Sequence, residues 1–233
     1  MLNKVGFNKL YHIHVGKCAG SSINMALNKL GIKFTNLHCG NAPEQLKKIM
    51  SEDSGDNIYL VSARNPIDRF ISAFNWDKYE KIIRKKSENL FWKKIYATFS
   101  SVDDLICSLY SSDLDRKKLA EFAINKSKLH IQCGLSWYIP ITTLNKLPME
   151  RTVVINTEKL VDDFNSFLKF IESERPPLIN SLPKDKDSSD FLDLIEIDNP
   201  KYLSSNAKII LEDILKEDFE ILSFLNNKTI SNK

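Results

Sequence analysis

The sequence predicts an α/β fold: a mostly parallel sheet of three to five strands with flanking helices and a helix-rich second half. Three observations predict it. Short apolar runs of strand length alternate with stretches whose apolar residues recur at helical spacing. The run "NIYLVSA", Asn57–Ala63, is apolar nearly throughout, as a parallel strand covered on both faces must be. Helical stretches separate the apolar runs, which is the order that builds crossovers in a parallel sheet.

Leu10–Val15 alternates bulky residues and reads as the first strand. Ser21–Leu30 reads as an amphipathic helix, with Ile23, Met25, Ala26, Leu27 and Leu30 apolar and Gly31 as its stop. Lys33–Leu37 is a second short strand, and Pro43–Ser51 a helix with proline in its first turn. Asn65-Pro66 breaks the third strand and opens a helix with Ile67, Phe70, Ile71 and Phe74 on one face. From Tyr79 to about Asn125 the chain reads as helical in two or three pieces. "TVVI", Thr152–Ile155, is another buried strand, followed by a helix over Glu158–Ile171 with Leu160, Val161, Phe164, Phe167 and Leu168 inward. Glu174–Asp190 has the composition of a loop, and Asn199–Leu225 closes the chain as a helical region. With no repeat and no low-complexity tract, residues 1–233 read as a single domain.

Length and composition bound the function. A chain of 233 residues, 42% hydrophobic and 27% charged, has enough apolar residues for a sizeable core. A net charge of only +3 gives no polyanion footprint, so no nucleic-acid partner is expected. No run of 18 apolar residues occurs and the N-terminus lacks a signal-peptide core, so an integral membrane segment is not expected. Cys18, Cys39, Cys107 and Cys133 lie far apart with no CxxC pair, which predicts free thiols in a cytoplasmic protein and no metal. The abundance of Lys, Asn and Ile points by association to an AT-rich bacterial genome.

Two stretches carry chemistry. "HVGKCAGSSI" is a strand, a small-residue loop and a helix start. Such a unit aims backbone N–H groups at an anion, with Gly16, Ala19 and Gly20 allowing close approach, Lys17 adding charge, and Ser21 and Ser22 adding hydroxyls. A tight turn with serine caps explains the same residues. The nucleotide pattern GxxxxGK[ST] is absent, which disfavours a magnesium–ATP site. "VSARNPIDRFISAFNW" ends a buried strand on Arg64, suited to a forked grip on phosphate, and sets Ser72 eight residues later in the next helix. A surface Arg64 and a local Asp68–Arg69 ion pair explain that stretch equally well.

Together the two stretches resemble the sulfotransferase family, in its carbohydrate, heparan 2-O-sulfotransferase-like branch. "HVGKCAGSSI" resembles the family's 5′-phosphosulfate loop, commonly P-K-T-G-G-T-S. Lys17 falls on its lysine, Cys18 on its Thr, Ala19 and Gly20 on its Gly pair, and Ser21 and Ser22 on its Thr-Ser, while Gly16 replaces its proline. "ARNPIDRFISAFN" resembles the 3′-phosphate motif R-D-P-x-x-R-x-x-S-x-Y. Arg64, Pro66, Arg69 and Ser72 match, whereas Asn65 replaces Asp and Phe74 replaces Tyr. "HIQCGLSWY", His130–Tyr138, resembles a downstream H-x-x-Q-like segment with Gln132 one place early, and "VVINTEKLVDDFNSFLKFI" a strand–E-x-L–helix element.

The resemblance implies a P-loop-like sulfotransferase fold, with a donor-binding core over about 8–76 and 150–172. A helical acceptor-side region would cover about 77–140, and a C-terminal loop and helices 173–233. It implies transfer of a sulfuryl group from 3′-phosphoadenosine 5′-phosphosulfate (PAPS) to a carbohydrate hydroxyl, without a metal. The acceptor would be a polysaccharide, lipopolysaccharide or glycolipid, and the enzyme would be cytoplasmic or peripheral to the inner membrane. Gly16, Lys17, Cys18, Ala19, Gly20, Ser21 and Ser22 would bind the 5′ end of the donor, and Arg64 and Ser72 the 3′ phosphate. Lys17 would stabilise the leaving phosphate. His38 is the candidate base, with Glu44 second; an imidazole titrates near neutral pH. His14 is expected to be structural, His12 is unassigned, and His130 is placed near donor or acceptor. Trp76 or Trp137 would stack on a ligand. The basic run Lys78, Lys81, Arg84, Lys85 and Lys86 would be a solvated face or a dock for anionic polysaccharide, and Lys184–Lys186 a closing loop. A small-molecule kinase and a non-catalytic nucleotide-binding module are the rival readings.

Overall fold

The computed structural model describes residues 7–84, 89–172, 176–183 and 201–228. Four strands form one parallel sheet: β1 (Lys9–His14), β2 (Thr35–Leu37), β3 (Asn57–Ala63) and β4 (Thr152–Asn156), in the order β2-β1-β3-β4. Every neighbouring pair is parallel, with His12 opposite Leu60 and His14 opposite Ser62 in the central pair. The expected α/β class and parallel sheet are therefore present. β2 is shorter than Lys33–Leu37, as an edge strand paired on one side only.

The chain leaves β1 through helix α1 (Gly20–Lys29) to β2, then returns through α2 (Ala42–Ser51) to β3 on the other side of β1. This reversal of direction puts a topological switch point at the carboxyl ends of β1 and β3, where sheets of this kind bind ligands. Beyond β4 come a 3₁₀ turn (Thr157–Lys159) and the helix Leu160–Ile171. One face of the sheet (Leu10, Ile58, Leu60, Val153, Ile155) packs on Ile23, Ala26 and Leu27 of α1 and on Phe164, Phe167 and Leu168. Period-2 alternation puts His12 and His14 on that same face as Leu10. Met25, one of the apolar residues of that amphipathic helix, is exposed.

The described residues fall into two compact units. One draws on Met1–Arg64, Leu135–Asp185 and Asp218–Lys233 and holds the whole sheet. Its other helices include the short Leu135–Tyr138 and the last helix, Lys216–Lys228. The other unit draws on Asn65–Gly134 and Lys186–Glu217 and is helical. It contains α3 (Pro66–Lys78), a π turn (Tyr79–Ile83), α4 (Leu90–Thr98), α5 (Val102–Cys107), α6 (Leu114–Asn125) and the helix Ser205–Ile214. Asn65 takes the place of the motif's usual Asp and caps α3, its Oδ1 accepting from the amides of Ile67 and Asp68 at 3.0 and 3.3 Å.

Arg69, also in the second unit, is buried and forms no ion pair with Asp68 among the described contacts. Its guanidinium donates to the carbonyls of His130 (2.7 Å), Ile131 (3.1 Å) and Cys133 (3.4 Å). The arginine of the second motif therefore folds the "HIQC" segment. Asp77, about two helix turns further along α3, holds the same segment. It accepts from the His130 amide at 3.0 Å and binds the His130 ring at Nδ1 at 2.6 Å. Trp92 is structural as well, its indole donating to the Ser127 carbonyl at 3.0 Å. All four cysteines are free thiols. Among the described residues no helix is long and apolar enough to cross a membrane. Lys85, Lys86, Lys184–Lys186 and most of the predicted loop lie outside the described residues.

Candidate active site

Three neighbouring strands of the sheet unit each deliver one predicted residue at their carboxyl ends: the Lys17 loop after β1, His38 after β2 and Arg64 after β3. Arg64 Nη1 donates to the backbone carbonyl of Lys17 at 3.4 Å, so the arginine lies against the loop that carries the lysine.

The loop closes tightly. The Cys18 amide donates to the Val15 carbonyl at 3.3 Å, and the buried Cys18 thiol turns inward to the Gly16 carbonyl at 3.8 Å. Cys18 thus shapes the loop from within. Lys17 and Ala19 both adopt left-handed backbone, with φ of 68° and 57°. Each such non-glycine residue costs roughly 1–2 kcal/mol. Left-handed Ala19 followed by right-handed Gly20 turns successive amides to one side, the geometry of an anion nest.

Ala19 is also the N-cap of α1, and it supplies no side-chain oxygen. The first amide of this helix to reach a carbonyl is that of Ile23, bonded to Ala19 at 3.1 Å. The amides of Gly20, Ser21 and Ser22 therefore point out of the helix end. No acidic residue stands in the first turn. α3, α4, α5, α6 and the helix Ser205–Ile214 each carry a side-chain cap, whereas α1, α2 and the helix Leu160–Ile171 carry none. A terminus of this kind can receive an external anion.

Gly20 has a second task. A Cβ there would lie 1.9 Å from His14 Cδ2 and 2.3 Å from its Nε2. The His14 ring rests on the glycine and stacks against His38, centroids 3.9 Å apart. On its other side lies His12, at 5.4 Å. Burial pushes the His12 ring down to about pKa 4, against the opposing effect of its hydrogen bond to Asn24. The innermost imidazole of the stack is therefore neutral at physiological pH. Gly20→Ala should lower stability by about 1–3 kcal/mol in urea unfolding, the usual cost of overpacking. His14→Ala on that background should recover most of the loss, and a single variant as stable as the parent would show that the ring yields freely.

His38 is oriented through its backbone-facing nitrogen. A carbonyl only accepts, so Nδ1–H donates to the His14 carbonyl at 2.8 Å and Nε2 carries the lone pair. The Cys39 thiol meets that lone pair at 3.1 Å. The Tyr138 hydroxyl accepts from the Cys39 amide at 3.2 Å and lies 3.3 Å from His38 Nδ1. Asp218 fixes the helix that presents Tyr138 by accepting from the Ser136 amide at 2.7 Å. Cys39 and Tyr138 were not singled out from sequence. Tyr138 lies 100 residues from His38, and no local pattern links them.

A model of the sulfotransferase family matches residues 5–224. The chain is a member of that family. Neither the curated proteins nor the solved structures yielded a match.

The other residues predicted for this sulfotransferase lie on its helices. Glu44 is exposed in the first turn of α2, where a carboxylate offsets the helix dipole. Ser72 sits half-open on α3 between buried Ile71 and Ala73. Trp137 packs edge-on against Tyr138 at 4.8 Å, and Trp76 lies 5.8 Å from Tyr79.

Proposed function

We propose that this sulfotransferase moves a sulfuryl group from PAPS to a hydroxyl of a carbohydrate acceptor, a polysaccharide, lipopolysaccharide or glycolipid. One observation carries the reading. An uncapped helix end, a lysine, an arginine and an oriented imidazole converge at the carboxyl ends of three adjacent strands. An anion cradle beside a base is what sulfuryl transfer to a hydroxyl needs. A kinase reading gains no support from this loop, which sets its lysine ahead of the helix.

In this mechanism the amides of Gly20, Ser21 and Ser22 hold the 5′ phosphosulfate, with Gly16, Cys18 and Ala19 shaping the cradle. Arg64 and Ser72 are assigned the 3′ phosphate on the motif alone. His38 Nε2 takes the proton of the acceptor hydroxyl as the acceptor oxygen bonds to sulfur. The bond from sulfur to the phosphate oxygen breaks, and Lys17 stabilises the charge gathering on that oxygen. The products are the sulfated acceptor and 3′,5′-ADP. No step calls for a metal. The same proposal puts the enzyme in the cytoplasm or at the periphery of the inner membrane.

Thermal denaturation tests the donor assignment, because a ligand that binds only the folded state raises Tm. 3′,5′-ADP should stabilise the chain more than 5′-AMP or ATP with magnesium, and Arg64→Ala should erase the difference. Equal shifts with all three ligands would sink the assignment. A shift that persists while no acceptor is ever sulfated would mark a nucleotide-binding module.

A further inference from the structure

Leu90 and Phe91 open α4 with 78% and 64% of their surface in water, and Ile83, at the end of the π turn, is 42% exposed. All three belong to the helical unit. Phe91 packs at a tilt on Phe122 of α6, centroids 5.8 Å apart, which holds the protrusion in place. Cations surround it. Lys93 and Lys94 lie three and four residues beyond Leu90, on its side of the helix. Lys81 sits over the Trp92 ring at 4.8 Å. The indole of Trp92 in turn holds Ser127, whose neighbours Lys126 and Lys128 are exposed. Arg84 is exposed and pairs with Glu80 at 2.9 Å. Among the described residues the acidic groups of the π turn, α4 and α6 are Glu80, Asp115 and Glu121. The cations are clearly in excess.

We propose that this face binds an anionic lipid surface. Leu90 and Phe91 enter the boundary between headgroups and acyl chains, while Lys81, Arg84, Lys93, Lys94, Lys126 and Lys128 meet the lipid phosphates. The choice over an anionic polysaccharide rests on the apolar pair. A glycan offers sugar hydroxyls and charge, neither of which relieves water-exposed leucine and phenylalanine side chains. A lipid interface relieves both and rewards the surrounding lysines.

Flotation of the full chain with vesicles tests this without any sulfation assay, so failure here leaves sulfuryl transfer untouched. The chain should float with vesicles containing phosphatidylglycerol, stay behind with phosphatidylcholine alone, and be released by salt. Leu90→Ser/Phe91→Ser and Lys94→Glu/Lys128→Glu should each weaken binding about tenfold or more. Melting curves should match the parent, since both pairs change exposed side chains. No flotation at low salt overturns the proposal, as does flotation that both variants leave unchanged. Retention on immobilised heparin without vesicle binding overturns it in favour of a polysaccharide. A dimer in solution that Leu90→Ser/Phe91→Ser dissociates overturns it in favour of a second copy.

Discussion

Lys17→Ala lowers turnover about 10²–10³-fold, the usual cost of losing a group that stabilises charge forming in the transition state. The loss falls on kcat and on kcat/KM alike, because the lysine acts as the bond to phosphate breaks and adds little to ground-state binding. Stabilisation by 3′,5′-ADP largely survives, since the helix-end amides and Arg64 remain. The backbone at this position requires a control. Lys17 is left-handed at φ 68°, and alanine keeps that strain. Lys17→Gly removes charge and strain together. It should lose as much turnover as Lys17→Ala while regaining stability in denaturant unfolding. Steady-state kinetics that find Lys17→Ala within a few-fold of the parent remove the lysine from the mechanism.

His38→Ala loses about 10²–10⁴ in turnover, the span general base catalysis supplies, and keeps the thermal shift with 3′,5′-ADP. His38→Asn sharpens the test. Its amide can still donate to the His14 carbonyl, but it offers no basic nitrogen, so it should be as inactive as alanine. Cys39→Ala acts in the other direction. The thiol occupies His38 Nε2 at 3.1 Å, so its removal should leave turnover intact or raise it. Sulfation of an acceptor by His38→Asn at the parental rate would assign the base to another residue.

Most of the fold was legible because its signals are local. β3 was read at its full extent, Asn57–Ala63, since seven successive buried residues leave no helical alternative. Lys17, His38 and Arg64 were placed at strand ends by motif order, and strand ends are where a parallel sheet gathers them. The π turn at Tyr79–Ile83 carries no apolar signature that separates it from ordinary helix. What the sequence hid was contact through space. Gly20 read as room for phosphate, whereas its missing Cβ makes room for His14, six residues back along a different element. Arg69 read as half of a local ion pair with Asp68 or as a motif position, because burial of an arginine on three carbonyls has no local pattern. Tyr138 reaches His38 only after 100 residues of chain are folded.

The bare end of α1 has a thermodynamic consequence. Five residues, Gly16 to Gly20, combine two left-handed non-glycine residues with a helix that lacks a cap worth about 1 kcal/mol. Local preference and fold conflict at this loop, where two left-handed residues adjoin an uncapped helix start. An anion drawn to those amides resolves it by serving as the missing cap. Under the proposed function, a bound donor would complete the helix end that the polypeptide itself leaves without a cap.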